Sequence, residues 1–367
     1  MKKIIVISSI NLRSGGTLSI LNDCLQYIDK ELSSSYKIIA LVHKKDILIK
    51  TNNIEFIEFP NSIKSYFYRL YYEYVYFKKL SKELKPHLWL SLHDMTPNVV
   101  ADIRAVYCHN PSPFYKINIK EFFLDYKFAL FSFLYKYLYK INILKNNFVI
   151  VQQEWLKDEF IKLYDVKNLV VANPNIEILI QNEETIGEDD KIIFFYPSFP
   201  RVFKNFELIC EAVSLIDSSY SDKFEVILTI DGSENKYSKS IVEKYNKYKN
   251  INFIGLQTRE KVFDIYSKSD CLIFPSKLET WGLPISEFKT YDKDILTIDL
   301  PYARETVGDY SKVKFFSLNN PKELATYMQN KMDGRLVYDV NCSIQKSDFG
   351  SNSWKELFDI LLKSKGF

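Results

Sequence analysis

A chain of 367 residues with 47% hydrophobic residues is long enough for two folded domains, each with its own core. The formal net charge of +3 is too small to mark a nucleic-acid partner, and no stretch has the composition of a disordered tail. The start, Met1-Lys2-Lys3-Ile4-Ile5-Val6-Ile7, is charged and then apolar, as in a signal peptide. However, the apolar run is short and passes directly into Asn11, Arg13 and Gly15 with no small-residue cleavage pattern, so it reads as a buried first strand, Ile4–Ser8. A helix from about Gly16 to Leu32 follows, then strands Tyr36–Val42 and Ile54–Pro60, a helix Tyr66–Leu84, and strands Leu88–Leu92 and Ala105–Cys108. After a long aromatic helix come strands Phe148–Gln152 and Leu169–Ala172. Beyond the polar stretch Gln181–Lys191 the pattern restarts, with strands Ile192–Tyr196, Phe224–Ile230, Asn252–Ile254, Cys271–Phe274 and Ile295–Ile298 separated by helices.

Apolar strands alternating with helices argue for α/β architecture, parallel sheets covered on both faces. The restart divides the chain into an N-terminal domain, residues 1–173, and a C-terminal domain, residues 174–350, with a last helix in 351–367 packing back on the first domain. Five scattered cysteines, Cys24, Cys108, Cys210, Cys271 and Cys342, form no C-x-x-C pair and read as thiols in a reduced, cytoplasmic compartment. From Asn61 to Ile150 there are 13 Lys/Arg against 6 Asp/Glu, an excess of +7. That stretch holds two aromatic-basic segments, Tyr66–Lys79 and Phe122–Lys145, which suit either an anionic membrane surface or ordinary amphipathic packing. Phe128–Leu144 is interrupted by Lys136 and Lys140 and is not expected to span a membrane.

In open α/β sheets ligands bind at the carboxyl ends of the strands. Gly15, Gly16, Gly232, Gly255, Gly282 and Gly308, six of only ten glycines, follow strands on that edge. Arg13-Ser14-Gly15-Gly16-Thr17 links a strand to a helix, where backbone N–H groups can approach a phosphate; a plain turn is the alternative, and G-x-G-x-x-G is absent. Arg201 and Lys204 follow the first strand of the second domain as a pair of candidate anion-holding cations. His109 and Asp94 each end a strand of the first domain, Asp94 as a possible base toward a hydroxyl or as a simple cap. Glu279 and Glu287, with seven residues between them, flank Thr280-Trp281-Gly282-Leu283-Pro284. Pro284 suits the first turn of a helix, which leaves the N–H groups of Trp281, Gly282 and Leu283 for an anion. A nucleotide sugar calls for both kinds of group, N–H donors for its diphosphate and carboxylates for its hydroxyls. Asp292-Lys293-Asp294 is formally a D-x-D but falls where a turn is expected, and no Cys/His cluster offers zinc ligands.

The segment Phe274–Glu287 resembles the Glu-x7-Glu motif of retaining GT-B glycosyltransferases, family 4 (group 1) in particular. Further matches occur in the family's order: Gly15-Gly16, His109, Asn173-Pro174 at the inter-domain hinge, Arg201 with Lys204-Asn205, Gly255-Leu256 and Pro301–Glu305. They cover nearly the whole second domain and three points of the first. The resemblance implies two Rossmann-like domains facing each other across a cleft. It implies transfer of a hexose from a nucleotide diphosphate sugar to a hydroxyl of a glycan or lipid-linked acceptor, with retention and without a metal or other cofactor. Lys204, Arg201 and the Gly15–Gly16 loop would hold the diphosphate, Glu279 the donor-sugar hydroxyls, Glu287 the ribose, Gly255-Leu256 the base, and His109 a sugar hydroxyl. A capsule or O-antigen pathway at the inner face of the plasma membrane is the expected setting. A GT-B epimerase and a catalytically degenerate scaffold remain the alternatives.

Overall fold

The computed structural model describes residues 2–13, 15–173, 191–341 and 350–363. The expected boundary at 174–190, with Pro174, lies outside the described residues, as do Ser14, Cys342 and Ser364. Two compact units emerge. One holds residues 2–114, 132–173 and 350–363, the other residues 115–131 and 191–341.

In the first unit, strands β1 (Lys3–Ser9), β2 (Tyr36–Val42), β3 (Ile54–Glu58), β4 (Leu88–Ser91), β5 (Ile103–Tyr107), β6 (Phe148–Val151) and β7 (Leu169–Ala172) pair in parallel. The second unit holds β8 (Ile192–Tyr196), β9 (Phe224–Leu228), β10 (Ile251–Phe253), β11 (Cys271–Phe274), β12 (Asp294–Ile298) and β13 (Val313–Phe316), also parallel. A two-residue β14 (Gly350–Ser351) returns to the first sheet beside β7. The sheet orders are β14-β7-β6-β5-β4-β1-β2-β3 and β10-β9-β8-β11-β12-β13.

The period-2 geometry of a strand sorts the first core into two layers. Ile5, Ile7, Ile38, Ala40, Leu88 and Leu90 face one side of the sheet. Val6, Ile39, Leu41 and Trp89 face the other, where Phe77 of the helical run Tyr66–Leu84 packs. The terminal helix Trp354–Lys363 joins the first layer, burying Leu357, Phe358 and Leu361 and stacking Phe358 on Tyr27 at 5.7 Å. Cys24, Cys108, Cys210 and Cys271 are buried free thiols.

Three local features differ from the sequence reading. The first helix is α over Gly15–Tyr27 and widens to a π-turn over Ile28–Leu32. The long aromatic helix breaks at Asp125 into Ile119–Leu124 and Tyr126–Lys140. Residues 115–131, read as part of the first domain, group with the second unit. Long-range pairs hold them there: Glu121 with Lys277 at 3.1 Å, Asp125 with Arg201 at 3.2 Å, and Phe128 against Phe203 at 5.0 Å.

Phe358→Ala removes a large side chain from a filled layer and is expected to destabilise the first unit by about 3–5 kcal/mol. Urea unfolding measures this, and the exposed Lys355→Ala is expected to stay within about 0.5 kcal/mol of the parent.

Candidate active site

Each sheet has one place where successive strands are added on opposite sides of a starting strand. In the first unit this is between β1 and β4, in the second between β8 and β11. Loops leaving such a pair diverge, and a crevice opens at the carboxyl ends of the strands. Gly15 and Gly16 follow β1, Asp94 follows β4, and His109 follows the adjacent β5. Arg201 and Lys204 follow β8, while Glu279 to Leu283 and Glu287 follow β11.

In the second unit the two loops are stitched together. Lys277 N–H donates to the Phe203 carbonyl at 2.7 Å, and Asn205 Nδ2 donates to the Pro275 carbonyl at 3.2 Å. Tyr196, buried at the end of β8, donates its hydroxyl to the Lys204 carbonyl at 2.9 Å. The stitching brings the Lys204 ammonium onto Glu279 Oε1 in a mostly buried ion pair. Arg201 is more open, reaching Asp125 and lying 5.3 Å over the Phe199 ring.

Pro284 does sit in the first turn of a helix, Leu283–Lys289, and places Glu287 one turn inside. Gly282 starts that helix at φ +84°, a backbone state that a side chain resists. Trp281 is pinned through Nε1 to Ser286 Oγ at 2.9 Å, and its carbonyl accepts the Thr306 hydroxyl. Thr280 is half-buried beside it. Tyr302 ties the neighbouring helix Pro301–Val307 to the Ser276 carbonyl.

Glu287 is buried, and both oxygens have donors: Arg259 Nη2 on Oε1 at 3.1 Å and the Tyr266 hydroxyl on Oε2 at 3.2 Å. Burial raises its pKa, while Arg259 and then Tyr266 pull it back down. Neither partner was legible in the sequence, because Tyr266 lies 21 residues and Arg259 28 residues from Glu287. Gly255 turns at φ +68° so close to Asp231 that a Cβ would lie 2.8 Å from Oδ2. Leu256 beside it is exposed.

In the first unit both carboxylate oxygens of Asp94 accept hydrogen bonds, as its reading as a cap expects. Its Oδ1 accepts the His109 N–H at 2.5 Å, the Asn110 N–H at 3.0 Å and the Tyr139 hydroxyl at 2.9 Å. Its Oδ2 accepts the Tyr135 hydroxyl at 3.0 Å. The carboxylate therefore anchors the loop after β5. His109 stands on that loop, buried, its ring 4.3 Å from Tyr107. Burial lowers its pKa against the opposing pull of Asp94 and the Leu92 carbonyl. With Nδ1 3.2 Å from the Gln152 amide nitrogen, the network assigns the ring proton to Nε2, for which no partner meets hydrogen-bond geometry among the described residues.

Beneath this loop lies a buried cluster that sequence reading missed. Glu73 and His93 are completely buried, with His93 Nε2 3.2 Å from Glu73 Oε1 and 3.1 Å from Ser8 Oγ. Ser8 and Glu73 both approach the same ring nitrogen, so the group lacks the relay geometry of a catalytic triad. Burial pushes the Glu73 pKa up to about 8, with Arg69 opposing, and drives that of His93 well down. Both groups are thereby favoured in their neutral forms.

The Asp292-Lys293-Asp294 run starts β12, at the edge opposite the crevice. Lys312 pairs with Asp292 at 2.7 Å, and Lys331 pairs with Asp294 at 2.6 Å. Among the described residues no three His, Cys, Asp or Glu side chains converge as a metal site.

Residues 177–339 match the family model for glycosyl transferases group 1. That stretch, less than half of the chain, is similar to group 1 glycosyl transferases. A 141-residue stretch, 37% of this chain, is 26% identical to the serotype-specific mannosyltransferase WbdA of Escherichia coli, and it spans only 17% of that protein. The lipopolysaccharide outer core galactosyltransferase WaaB, solved in its apo form, is similar in structure with a TM-score of 0.64 at 12% identity, over 92% of both chains. Anabaena Alr3699/HepE, solved in complex with UDP and glucose, aligns with a TM-score of 0.56 at 11% identity, over 91% of this chain and 92% of that one. At such identities the likeness shows the fold, which is GT-B. The matched stretch contains the Lys204–Glu279 pair, Glu287 and the stitched loops.

Because the folded Glu73 pKa lies above its unfolded value, its contribution to stability is fully present below about pH 4.5 and is lost as pH rises through about 8. Glu73→Gln is expected to flatten the pH dependence of the melting temperature between pH 5 and pH 9, each of these being about the limit of the titrating range. Differential scanning calorimetry checks this, and an unchanged slope would sink it.

Proposed function

We propose that the chain transfers a hexose from a nucleotide diphosphate sugar to a hydroxyl of a glycan or lipid-linked acceptor, with retention of configuration, in the assembly of a cell-surface polysaccharide. The observation that carries this reading is the Lys204–Glu279 pair held at the β8/β11 crevice of the stretch similar to group 1 glycosyl transferases. A cation for a departing diphosphate and an acceptor for sugar hydroxyls lie side by side there, as a donor with those two parts requires. The relatives lend support: WbdA is a mannosyltransferase, WaaB a galactosyltransferase of lipopolysaccharide, and HepE was solved with UDP and glucose.

In this mechanism the bond between the sugar C1 and the diphosphate oxygen breaks, and the nucleoside diphosphate departs with the electron pair. Lys204 and Arg201 stabilise the charge that gathers on it, and the Gly15–Gly16 backbone supplies N–H donors. The acceptor oxygen bonds to C1 on the same face, and its proton passes to the departing diphosphate. No separate protein nucleophile takes part. Glu279 accepts hydrogen bonds from the donor-sugar hydroxyls, and Glu287, already oriented by Arg259 and Tyr266, accepts them from the ribose. His109 offers Nε2–H to a sugar hydroxyl. Gly255 and Leu256 contribute the turn beside the base, and Thr280 to Leu283 the loop over the phosphates. The reaction requires no metal in this scheme. The four buried free thiols accord with a cytoplasmic location, where the nucleotide sugar would be met.

The test combines binding with turnover. In EDTA, one of UDP, GDP or dTDP is expected to raise the melting temperature of the parent chain, and Glu287→Ala is expected to lose that rise. With the matching sugar nucleotide, Lys204→Ala is expected to lower kcat by about 10²–10³ with the fold intact by circular dichroism. Absence of both a nucleotide shift and sugar transfer would refute the reading.

A further inference from the structure

The segment from residue 115 to residue 131 grips both loops of the candidate site, at residues beside the Lys204–Glu279 pair. Phe203, one residue before Lys204, packs its ring against Phe128 at 5.0 Å and against Tyr115 at 6.1 Å. Lys277, two residues before Glu279, brings its ammonium to 3.1 Å from Glu121 Oε1 and 3.5 Å from Glu207 Oε1. The two gripped residues are joined to each other, because Lys277 N–H donates to the Phe203 carbonyl at 2.7 Å. Within the segment, Tyr115 lies 6.1 Å from the Phe128 ring and donates its hydroxyl to Glu121 Oε1 at 2.7 Å. Rings and carboxylate thus form one network.

Which partner is fixed decides the direction of control. Glu121 is buried and belongs to the capping box that starts the helix Ile119–Leu124. Its Oε2 accepts the Asn118 N–H at 3.0 Å, while Asn118 Oδ1 accepts the Glu121 N–H at 2.9 Å. A carboxylate tied on both oxygens holds its place. Lys277 carries its charge on a flexible stem, and that charge is mostly buried. A buried ammonium lies where its carboxylates are, because an uncompensated charge there is costly. Glu207 is the weaker claimant, since it is farther away and its Oε2 also accepts the Tyr237 hydroxyl. Lys277 therefore follows Glu121, and the chain leading to Glu279 follows Lys277. Lys204 has a support of its own, the Tyr196 hydroxyl on its carbonyl at 2.9 Å. Loss of Glu121 consequently falls on the Glu279 side of the pair.

We propose that Glu121 is a positioning residue for the candidate site, setting through Lys277 where Glu279 stands against Lys204. The inference rests on the transfer reading and deepens it. Glu279 serves the donor sugar, whereas Lys204, Arg201 and Glu287 serve the nucleoside diphosphate. Glu121 therefore governs the handling of the sugar and leaves binding of the bare nucleoside diphosphate nearly untouched.

The test compares the full parent chain with Glu121→Gln, Lys277→Met and Lys277→Arg. Affinity for UDP, GDP and dTDP is measured by titration calorimetry. Turnover is read as release of nucleoside diphosphate from UDP-glucose, UDP-galactose, GDP-mannose and dTDP-glucose, with water as the acceptor. Glu121→Gln keeps the size and removes the charge. It is expected to lower kcat at least about tenfold, while the Kd of the matching nucleoside diphosphate moves less than about threefold. Lys277→Met is expected to do the same, and Lys277→Arg, which keeps the charge, to restore most of the turnover. A merely structural role would lower kcat, nucleotide affinity and the urea midpoint together, and that result overturns the proposal. A kcat for Glu121→Gln within about threefold of the parent also overturns it. Either result, with a parent that binds and turns over, leaves the transfer reading standing. A parent chain that neither binds a nucleotide nor releases one overturns the transfer reading, and this proposal with it.

Discussion

The parallel pairing of β8 with β11 fixes what the second unit can do. The chain enters the sheet at β8, adds two strands on one side, and returns to add β11 on the other. Two loops then leave neighbouring strand ends in different directions, and two hydrogen bonds between them, Lys277 to Phe203 and Asn205 to Pro275, keep them from parting. Lys204 and Glu279 are 75 residues apart in the chain, yet they form one ion pair because of that stitching. Each is mostly buried, so each charge depends on the other for compensation; removing one partner of such a pair costs more than the pair's net worth. In the proposed reaction the donor takes over this compensation, its diphosphate on Lys204 and its hydroxyls on Glu279.

Three acidic groups, Glu287 and Glu73 buried and Asp94 half-buried, have three outcomes, and the difference lies in their donors. Glu287 is buried with a hydrogen bond on each oxygen, so it is a ready acceptor. Asp94 takes four donors and serves as a fixed post for the loop bearing His109. Glu73 has a cation nearby but no hydrogen bond on either oxygen, and the neutral form prevails well above the ordinary carboxylate range. A carboxyl thus becomes an acceptor, a fastening or an uncharged filler according to the hydrogen bonds it meets.

The architecture was largely legible in the sequence because parallel strands buried on both faces appear as short Ile- and Val-rich runs, and twelve of them were recognised. β13 was missed because Val313-Lys314-Phe315-Phe316 is broken by a lysine, and β14 because two residues carry no pattern. At the candidate site, Glu279, Glu287, Lys204 and His109 were singled out from strand-end position together with the family resemblance, and the fold does put each after a strand end. Their supports were not singled out. Arg259, Tyr266, Gln152 and Asp125 act across distances in the chain that local pattern does not encode, and the cluster of Glu73 with His93 needed the fold to bring a helix over the end of β4. The same blindness misplaced residues 115–131, whose allegiance is set by Lys277, Arg201 and Phe203.

The four buried thiols have a consequence for handling the molecule. Cys24, Cys108, Cys210 and Cys271 sit in the interior, and burial lifts the pKa of each above that of a free thiol. In the native state they are neutral, shielded and inert, since the thiolate is the reactive species. Opening of either core releases its own pair as ordinary thiols, free to be alkylated or to join in non-native crosslinks. The interior therefore carries its own clock: the rate at which a thiol reagent is consumed counts openings of two cores, Cys24 and Cys108 timing one and Cys210 and Cys271 the other.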